Sequence, residues 1–455
     1  MRNLLNDSRL SRRDFAALLA AVAAGSMTSG CASRPDEPNV VTFWTSIADP
    51  ITMKAWNRIE QTFEEANPGW DVRIIPKPSV GTGDATSLIT AVRGRTGPDV
   101  YLIDRFTAAQ YAGMGLLEDL QPFVDDTPGL KENYLEFAWN EASFLDHLYA
   151  MPLDTDSRAL YYSTDMLTEA GLDPAVLDRE NGPPTIDDVI EMALQMNKTD
   201  EQGNYTQMGM IPWDGQAFWA TWALMNGAKF FDEKTCELTP TEPALLRTYE
   251  QFASWAEQFG YKKVDTFNAT YRPPGSPPEQ GVFYTKKMGM QVDGNWALAS
   301  LREYAPDLNY GITYLPVQKA GDPPFTWSGG FAMAIPKFAA NPEGAWKFML
   351  HACGEPGQRI YTEVTSHLPT YAPLLEDREL IGDQAFFAEL LQYSTSRPPL
   401  PVNFQLSDAL SQAQTSVLIG SATPRQALEN VYNQVNGAMK QFCPFSLPES
   451  TQRKI

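Results

Sequence analysis

The chain has 455 residues, with 35 Pro, 31 Gly and 43% hydrophobic residues. That is enough for two or three domains and for a core that needs no metal or disulfide staple. A formal net charge of -21 repels phosphate backbones and argues against nucleic-acid binding. The 11 Trp exclude a disordered chain. With 4 Cys and 3 His, and no ligand spacing among His147, His351 and His367, neither a metal site nor a cofactor is expected.

Arg2, Arg9, Arg12 and Arg13 precede the short apolar run Phe15 to Val22. A basic start, a brief apolar middle and small residues behind it read as an export signal over residues 1–30. Ser11-Arg12-Arg13-Asp14-Phe15 resembles the twin-arginine signal, which implies export after folding. Thr28-Ser29-Gly30-Cys31 resembles a bacterial lipobox, departing from it at Thr28, where Leu is usual. That resemblance implies a diacylglycerol on Cys31; the alternative is a secreted protein with a free Cys31. Residues 31–39 are polar and Pro-containing, as a tether is. The body beyond is expected outside the membrane, since no later apolar run is long enough to span. Of Cys236, Cys353 and Cys443, two have the option of pairing in an oxidising compartment, and the sequence does not choose which.

Val40 to Trp44 reads as a buried strand. Met53, Trp56, Ile59, Phe63 and Ala66 recur at helical spacing up to Asn67-Pro68-Gly69. Asp71 to Ile75 is the next strand. Gly81 to Thr86 is a polar loop before a helix through Leu88, Ile89 and Val92. Asp99 to Ile103 is a third strand. Tyr149 to Leu153 and Ala159 to Tyr162 are strands flanking the polar stretch Asp154 to Arg158. Thr185 caps a helix running to Met196. Gln216 to Asn226 and Pro243 to Phe259 are helices, and Tyr271 to Pro278 is a Pro-rich loop. Met288 to Val292 is a strand, followed by a helix from Asn295 to Tyr304. Tyr310 to Leu315 and Phe331 to Ile335 are strands, and the remainder is mostly helical. Strands alternating with helices predict an α/β fold.

Three blocks carry a family resemblance: Pro98-Asp99-Val100 with Asp104-Arg105-Phe106 and Gly115-Leu116-Leu117; Tyr149 to Asp165; and Gly294-Asn295-Trp296-Ala297 with Tyr310-Gly311-Ile312. From Val40 to about Pro373 the sequence resembles the carbohydrate cluster of solute-binding proteins that serve ABC importers, the maltodextrin-binding type. The resemblance implies two hinged α/β lobes with the ligand in the cleft between them. It puts the crossings near Asp154 to Arg158, Thr313 to Gln318 and Thr370 to Pro373. The first lobe would hold 40–153 and 316–373, and the second 158–313 and 376–455. It further implies a monomer that docks on a membrane permease and leaves its ligand unaltered, so no catalytic residues are expected.

A sugar offers hydroxyls at its edge and C–H patches on its faces, so its site needs carboxylates, Arg and aromatic planes. Asp104 and Arg105 follow a strand end, where ligands sit in open α/β sheets; the alternative is an ion pair capping the next helix. The resemblance matches Asp156 to an acidic ligand contact and Trp296 to a Trp that stacks on sugar. Asp293 and Asn295 flank the same turn. Trp219 and Trp222 share one helix face, either facing ligand or packing in the core. Trp44 and Ser46 end the first strand. Trp327 precedes Gly329-Gly330, a pair that permits close backbone approach to a ligand. The family's late aromatic and Arg cluster for long maltodextrins has no match in residues 376–455, which leaves smaller sugars, amino sugars and glycerophosphodiesters open. A glycoside hydrolase using Asp104 and Asp156 is disfavoured, because no eightfold strand–helix repeat is present.

Overall fold

The computed structural model describes residues 38–77 and 86–448. The expected export signal, Cys31, most of the expected tether and residues 81–85 lie outside the described residues.

The first sheet grows from Val40–Thr45, which pairs in parallel with Asp71–Pro76 on one side and Val100–Asp104 on the other. Helix Pro50–Ala66 connects the first two strands, with the Asp49 carboxylate capping its first N–H groups. Its apolar stripe Trp56, Ile59 and Phe63 packs on Val41 and Phe43 of the sheet. Val100–Asp104 is buried at every position, as a strand covered on both faces must be. Two later strands complete the order: Phe331–Ala334 lies antiparallel to Val100–Asp104, and Met151–Pro152 pairs with Phe331–Ala334.

A second sheet is antiparallel. Arg158–Ser163 sits between Met290–Gly294 and Tyr310–Thr313. Side chains alternate along the central strand. Leu160 and Tyr162 enter a large core with Trp222, Phe252 and Leu410, while Ala159 and Tyr161 enter a smaller one with Leu298 and Phe387. The second sheet thus has a core on each face, both separate from that of the first sheet.

Three crossings join the lobes. At the first, Asp154–Thr155 pairs antiparallel with Leu368–Pro369. Near the third expected crossing, the N–H groups of Thr370 and Tyr371 both donate to Gln358 Oε1. The second was expected near Thr313 to Gln318. Val317, Phe325 and Trp327 bury their apolar surface in the core of the second lobe, and Thr326–Ser328 pairs with Ser394–Ser396 there. Residues 317–328 thus pack with the second sheet's core up to Gly329-Gly330.

Other differences are local. The aromatic helix begins at Trp219, and a helix at Tyr261–Tyr271 follows Gly260, which takes the left-handed conformation at φ 70. The strand expected at Met288 to Val292 runs two residues later, so Asp293 and Gly294 belong to it. Cys236 bonds to Cys443, while Cys353 is a buried free thiol. Among the described residues, no helix is long and apolar enough to cross a membrane.

Candidate functional site: a charged and aromatic interlobe cavity

A cavity of about 420 Å³ opens between the lobes, within the usual size for a small-molecule site. Its floor holds two ion pairs. Asp104 ends a first-sheet strand and meets Arg397 of the second lobe, Nη2 to Oδ1 at 2.9 Å, so this pair spans the lobes. Asp156, in the first crossing, pairs with Arg158 and also accepts the Gly329 N–H at 2.6 Å. Both guanidiniums lie over aromatic rings: Arg158 is 3.4 Å from the Trp327 centroid and Arg397 is 3.7 Å from that of Phe106. Such stacking fixes a planar cation without consuming its donors. Arg397 Nε is buried with no hydrogen-bond partner. A Cβ on Gly329 would stand 3.3 Å from Arg397 Nη2 and 3.4 Å from Arg158 Nη2, so a glycine here lets both arginines converge.

The wall is aromatic. Trp296 is half-buried, and its ring lies 5.6 Å from His367 at an interplanar angle of 19°. The ring folds back over Gly294, where a Cβ would come within 2.0 Å of it; only glycine permits that pose. Asp293 accepts a hydrogen bond from the Trp296 side chain. Phe218 and Gln216 continue the wall, and Gln216 Oε1 accepts from Arg158 Nε at 3.3 Å.

His367 titrates in a buried setting. Its side chain is 13% exposed, and burial pushes its pKa down to about 4 from 6.5, against the opposing pull of Asp156 and Asp49. Between those two values the unfolded chain binds a proton that the folded chain refuses, so stability falls as pH drops from 6.5 toward 4. Asp293 acts oppositely: burial raises its carboxyl to about 6 from 3.8, so between these values the folded chain binds more proton and gains stability on acidification. His367→Gln is expected to remove the acid loss from the His367 limb. Melting temperature measured from pH 7 to pH 4 checks this: a profile parallel to that of the unsubstituted chain would refute it.

Of the residues expected from the sequence, Asp104, Asp156, Trp296, Trp327 and Gly330 line the cavity, and Gly329 lies under its arginines. The others sit elsewhere. Arg105 is 0% exposed; its Nε donates to Glu141 Oε2 at 2.8 Å, Nη2 to Gly329 O at 2.5 Å and Nη1 to Asp154 O. These bonds hold it away from the cavity, against Asp154 and Gly329. Trp222 is 0% exposed, its indole N–H bonded to Pro212 O and Ala217 O, and it belongs to the core. Trp219, on the same helix face, is buried against Phe230 with its N–H on Ser411 Oγ. Asn295 is 0% exposed and links crossings, accepting from Ser157 N and donating to Ser366 O. Asp293 lines a neighbouring cavity. Trp44 sits under Lys77, 3.7 Å from its ring centroid, and Ser46 is half-buried; neither lines the cavity. Gly330, in the cavity lining at φ 136, also leaves room for Arg105: a Cβ there would be 2.5 Å from Arg105 Nη1 and 2.3 Å from Asp154 O.

Sequence reasoning missed Arg158, Arg397, His367, Gln216 and Phe218. Arg158 stands two residues after Asp156 in a visibly polar stretch, a signal that was available. Arg397 arrives from 293 residues away, with no local pattern to announce it.

The family described as bacterial extracellular solute-binding protein matches residues 45–358. The chain belongs to that family. A solute-binding protein of this kind is exported from the cytoplasm. Among curated relatives, a putative binding protein of Brucella abortus is 21% identical over 407 residues, covering 85% of this chain and 90% of the relative. The sn-glycerol-3-phosphate-binding periplasmic protein of Pectobacterium atrosepticum is 22% identical over 450 residues, covering 93% and 95%. Among solved structures, the mannobiose complex of CpMnBP1 aligns at TM-score 0.76 and 22% identity, covering 87% of this chain and 99% of that one. A Mycobacterium tuberculosis binding protein in complex with glycerophosphocholine aligns at TM-score 0.69 and 18% identity, covering 88% and 98%. These likenesses establish the two-lobed periplasmic-binding-protein fold for this solute-binding protein.

Proposed function

We propose that this protein is the lipid-anchored receptor of an ABC importer, and that it captures an uncharged mono-, di- or oligosaccharide by lobe closure and delivers it, unaltered, to a membrane permease. The observation that carries the choice of ligand is the charge balance of the cavity. Its described lining residues include three carboxylates, Asp49, Asp104 and Asp156, against the two guanidiniums of Arg158 and Arg397. His367 is neutral near pH 7, since its pKa lies at about 4. Carboxylates accept and guanidiniums donate, which suits hydroxyls, while Trp296 offers a plane for a ring face. A phosphate monoester would meet more negative than positive charge. The pairing of Asp104 across the lobes, at 2.9 Å from Arg397, supports hinge closure as the capturing motion.

A second reading, a glycerophosphodiester, draws on the relatives' printed ligands and on the unpartnered Arg397 Nε. Calorimetric and thermal-shift titrations with mannobiose, maltose, glycerophosphocholine and sn-glycerol 3-phosphate separate the readings. A disaccharide at 100 times its dissociation constant is expected to add about 2.7 kcal/mol of stability and to be recovered intact. Binding of glycerophosphocholine alone would transfer the assignment to the second reading, and cleaved sugar would make the protein an enzyme. The anchor rests on Cys31, and Cys31→Ala is expected to release the protein from the membrane fraction.

A further inference from the structure

Helix Pro424–Met439 packs in the core of the second sheet, and the residues behind it, 440–447, reach back to the first. At one side this segment stays on the second sheet's core. Phe445 is buried against Phe231, ring centroids 6.0 Å apart, and the Leu447 N–H donates to Glu233 Oε1 at 2.8 Å. The Cys236–Cys443 disulfide joins the segment to the same hairpin, Phe231–Asp232 with Glu237–Leu238, across 207 residues of sequence. At its other side the segment meets a second hairpin, Ser143–Phe144 with His147–Leu148, rooted through Ala142 and Leu148 in the core of the first sheet. Phe144 lies 6.4 Å from Phe442, edge to face at 85°, and 6.3 Å from Phe445, stacked at 24°. Gly113 makes the room, since a Cβ there would be 2.8 Å from Phe442 Cε1. Ring pairs of this kind hold two surfaces together beyond the area they bury. The three rings are not among the described lining residues of the interlobe cavity, so the contact needs no ligand.

We propose that segment 440–447 is a redox-fastened strap: with the Cys236–Cys443 bond made, it clasps Phe144 and favours the arrangement in which the lobes meet across the cavity, and with the bond reduced it lets go. The arrangement it favours is the one it coexists with, marked by the Asp104–Arg397 pair at 2.9 Å. A chain end frays unless it is tied down. Gln441, Cys443, Pro444 and Ser446 are exposed, so the disulfide is the main tie, and a dithiol can reach it. In thiol–disulfide exchange the dithiol's two sulfurs become a disulfide, while Cys236 and Cys443 take up the two electrons and two protons as thiols. Such bonds persist outside the cytoplasm and are kept reduced inside it. The strap is therefore fastened only after export, where solute is captured, and the chain holds ligand more weakly before it leaves.

Amide exchange and calorimetry test this on the full chain, oxidised or treated with dithiothreitol, and on Phe144→Ala and a paired Cys236→Ser, Cys443→Ser variant. The probes are mannobiose and glycerophosphocholine. The expectation is the same for whichever binds, so loss of the sugar reading does not decide the strap. Reduction is expected to speed exchange at 143–148 and 440–447 roughly tenfold and to leave Val100–Asp104 protected, which also shows that each variant is folded. Binding is expected to weaken roughly two- to tenfold, the worth of an aromatic contact. The paired serine variant should show that weakening with or without dithiothreitol. Phe144→Ala should show it with the bond intact and lose no more on reduction, because the two changes remove one contact. Unchanged or tighter binding on reduction would overturn the strap. So would a loss on reducing Phe144→Ala as large as in the unsubstituted protein. Should neither probe bind, exchange at 143–148 decides: acceleration on reduction upholds the strap, and its absence overturns it.

Discussion

An Arg105→Ala chain is expected to lose about 3–5 kcal/mol of folding stability, the usual consequence of removing one member of a buried ion pair. Glu141 is also 0% exposed. Burial already raises its pKa, and the nearby charge of Arg105 is the largest influence holding it down. Without the guanidinium, Glu141 must take up a proton or remain as an uncompensated buried charge. The carbonyl of Asp154 loses its Arg105 donor at the same moment, and that of Gly329 is left with Thr155 Oγ1 alone among side chains. Denaturant unfolding measures the loss. A double replacement, Arg105→Met with Glu141→Leu, is expected to recover much of it, because apolar side chains of similar volume need no partner. An Arg105→Ala protein of unchanged stability that no longer binds sugar would return Arg105 to the ligand site.

Arg105 also shows where the sequence stops being legible. Its place behind a strand end was readable, and so was that of Asp104. Which of the two faces the cleft was not, because the answer depends on Glu141, Asp154 and Gly329, which lie 36, 49 and 224 residues away. Hydrophobic period located the first sheet and its covering helices to within a residue or two, since Trp56, Ile59 and Phe63 bury a helical stripe whatever lies beyond. At the second expected crossing, Pro316 looks like an end. The apolar Val317, Phe325 and Trp327 that keep the chain on the second lobe are recognisable only once their core exists. Asp104 ends its strand and borders the interlobe gap, whereas Trp44, one residue short of its strand's end, does not. Arg397 illustrates the general limit. A group that completes a site from a distant loop leaves no periodicity or spacing behind it.

The tryptophans separate these two kinds of information by experiment. Trp222→Ala is expected to cost about 3–5 kcal/mol, as truncation of a fully buried large aromatic does. Trp222 is 0% exposed and its ring meets that of Trp255 at 5.5 Å, so the cavity left behind is enclosed by packed side chains. Trp296→Ala is expected to shift the melting temperature far less, since half of what it covers is open cleft. Its loss should appear as affinity instead: a missing aromatic plane beyond simple area burial is worth about 0.5–1.5 kcal/mol, or roughly two- to tenfold, with lost apolar contact added. His367 then loses its stacking partner, so the pH profile of ligand binding should move in Trp296→Ala and stay fixed in the folded fraction of Trp222→Ala. Matching stability losses in the two variants would mean that Trp296 is a core residue too, and the cavity would have lost its only half-exposed tryptophan plane among the described residues.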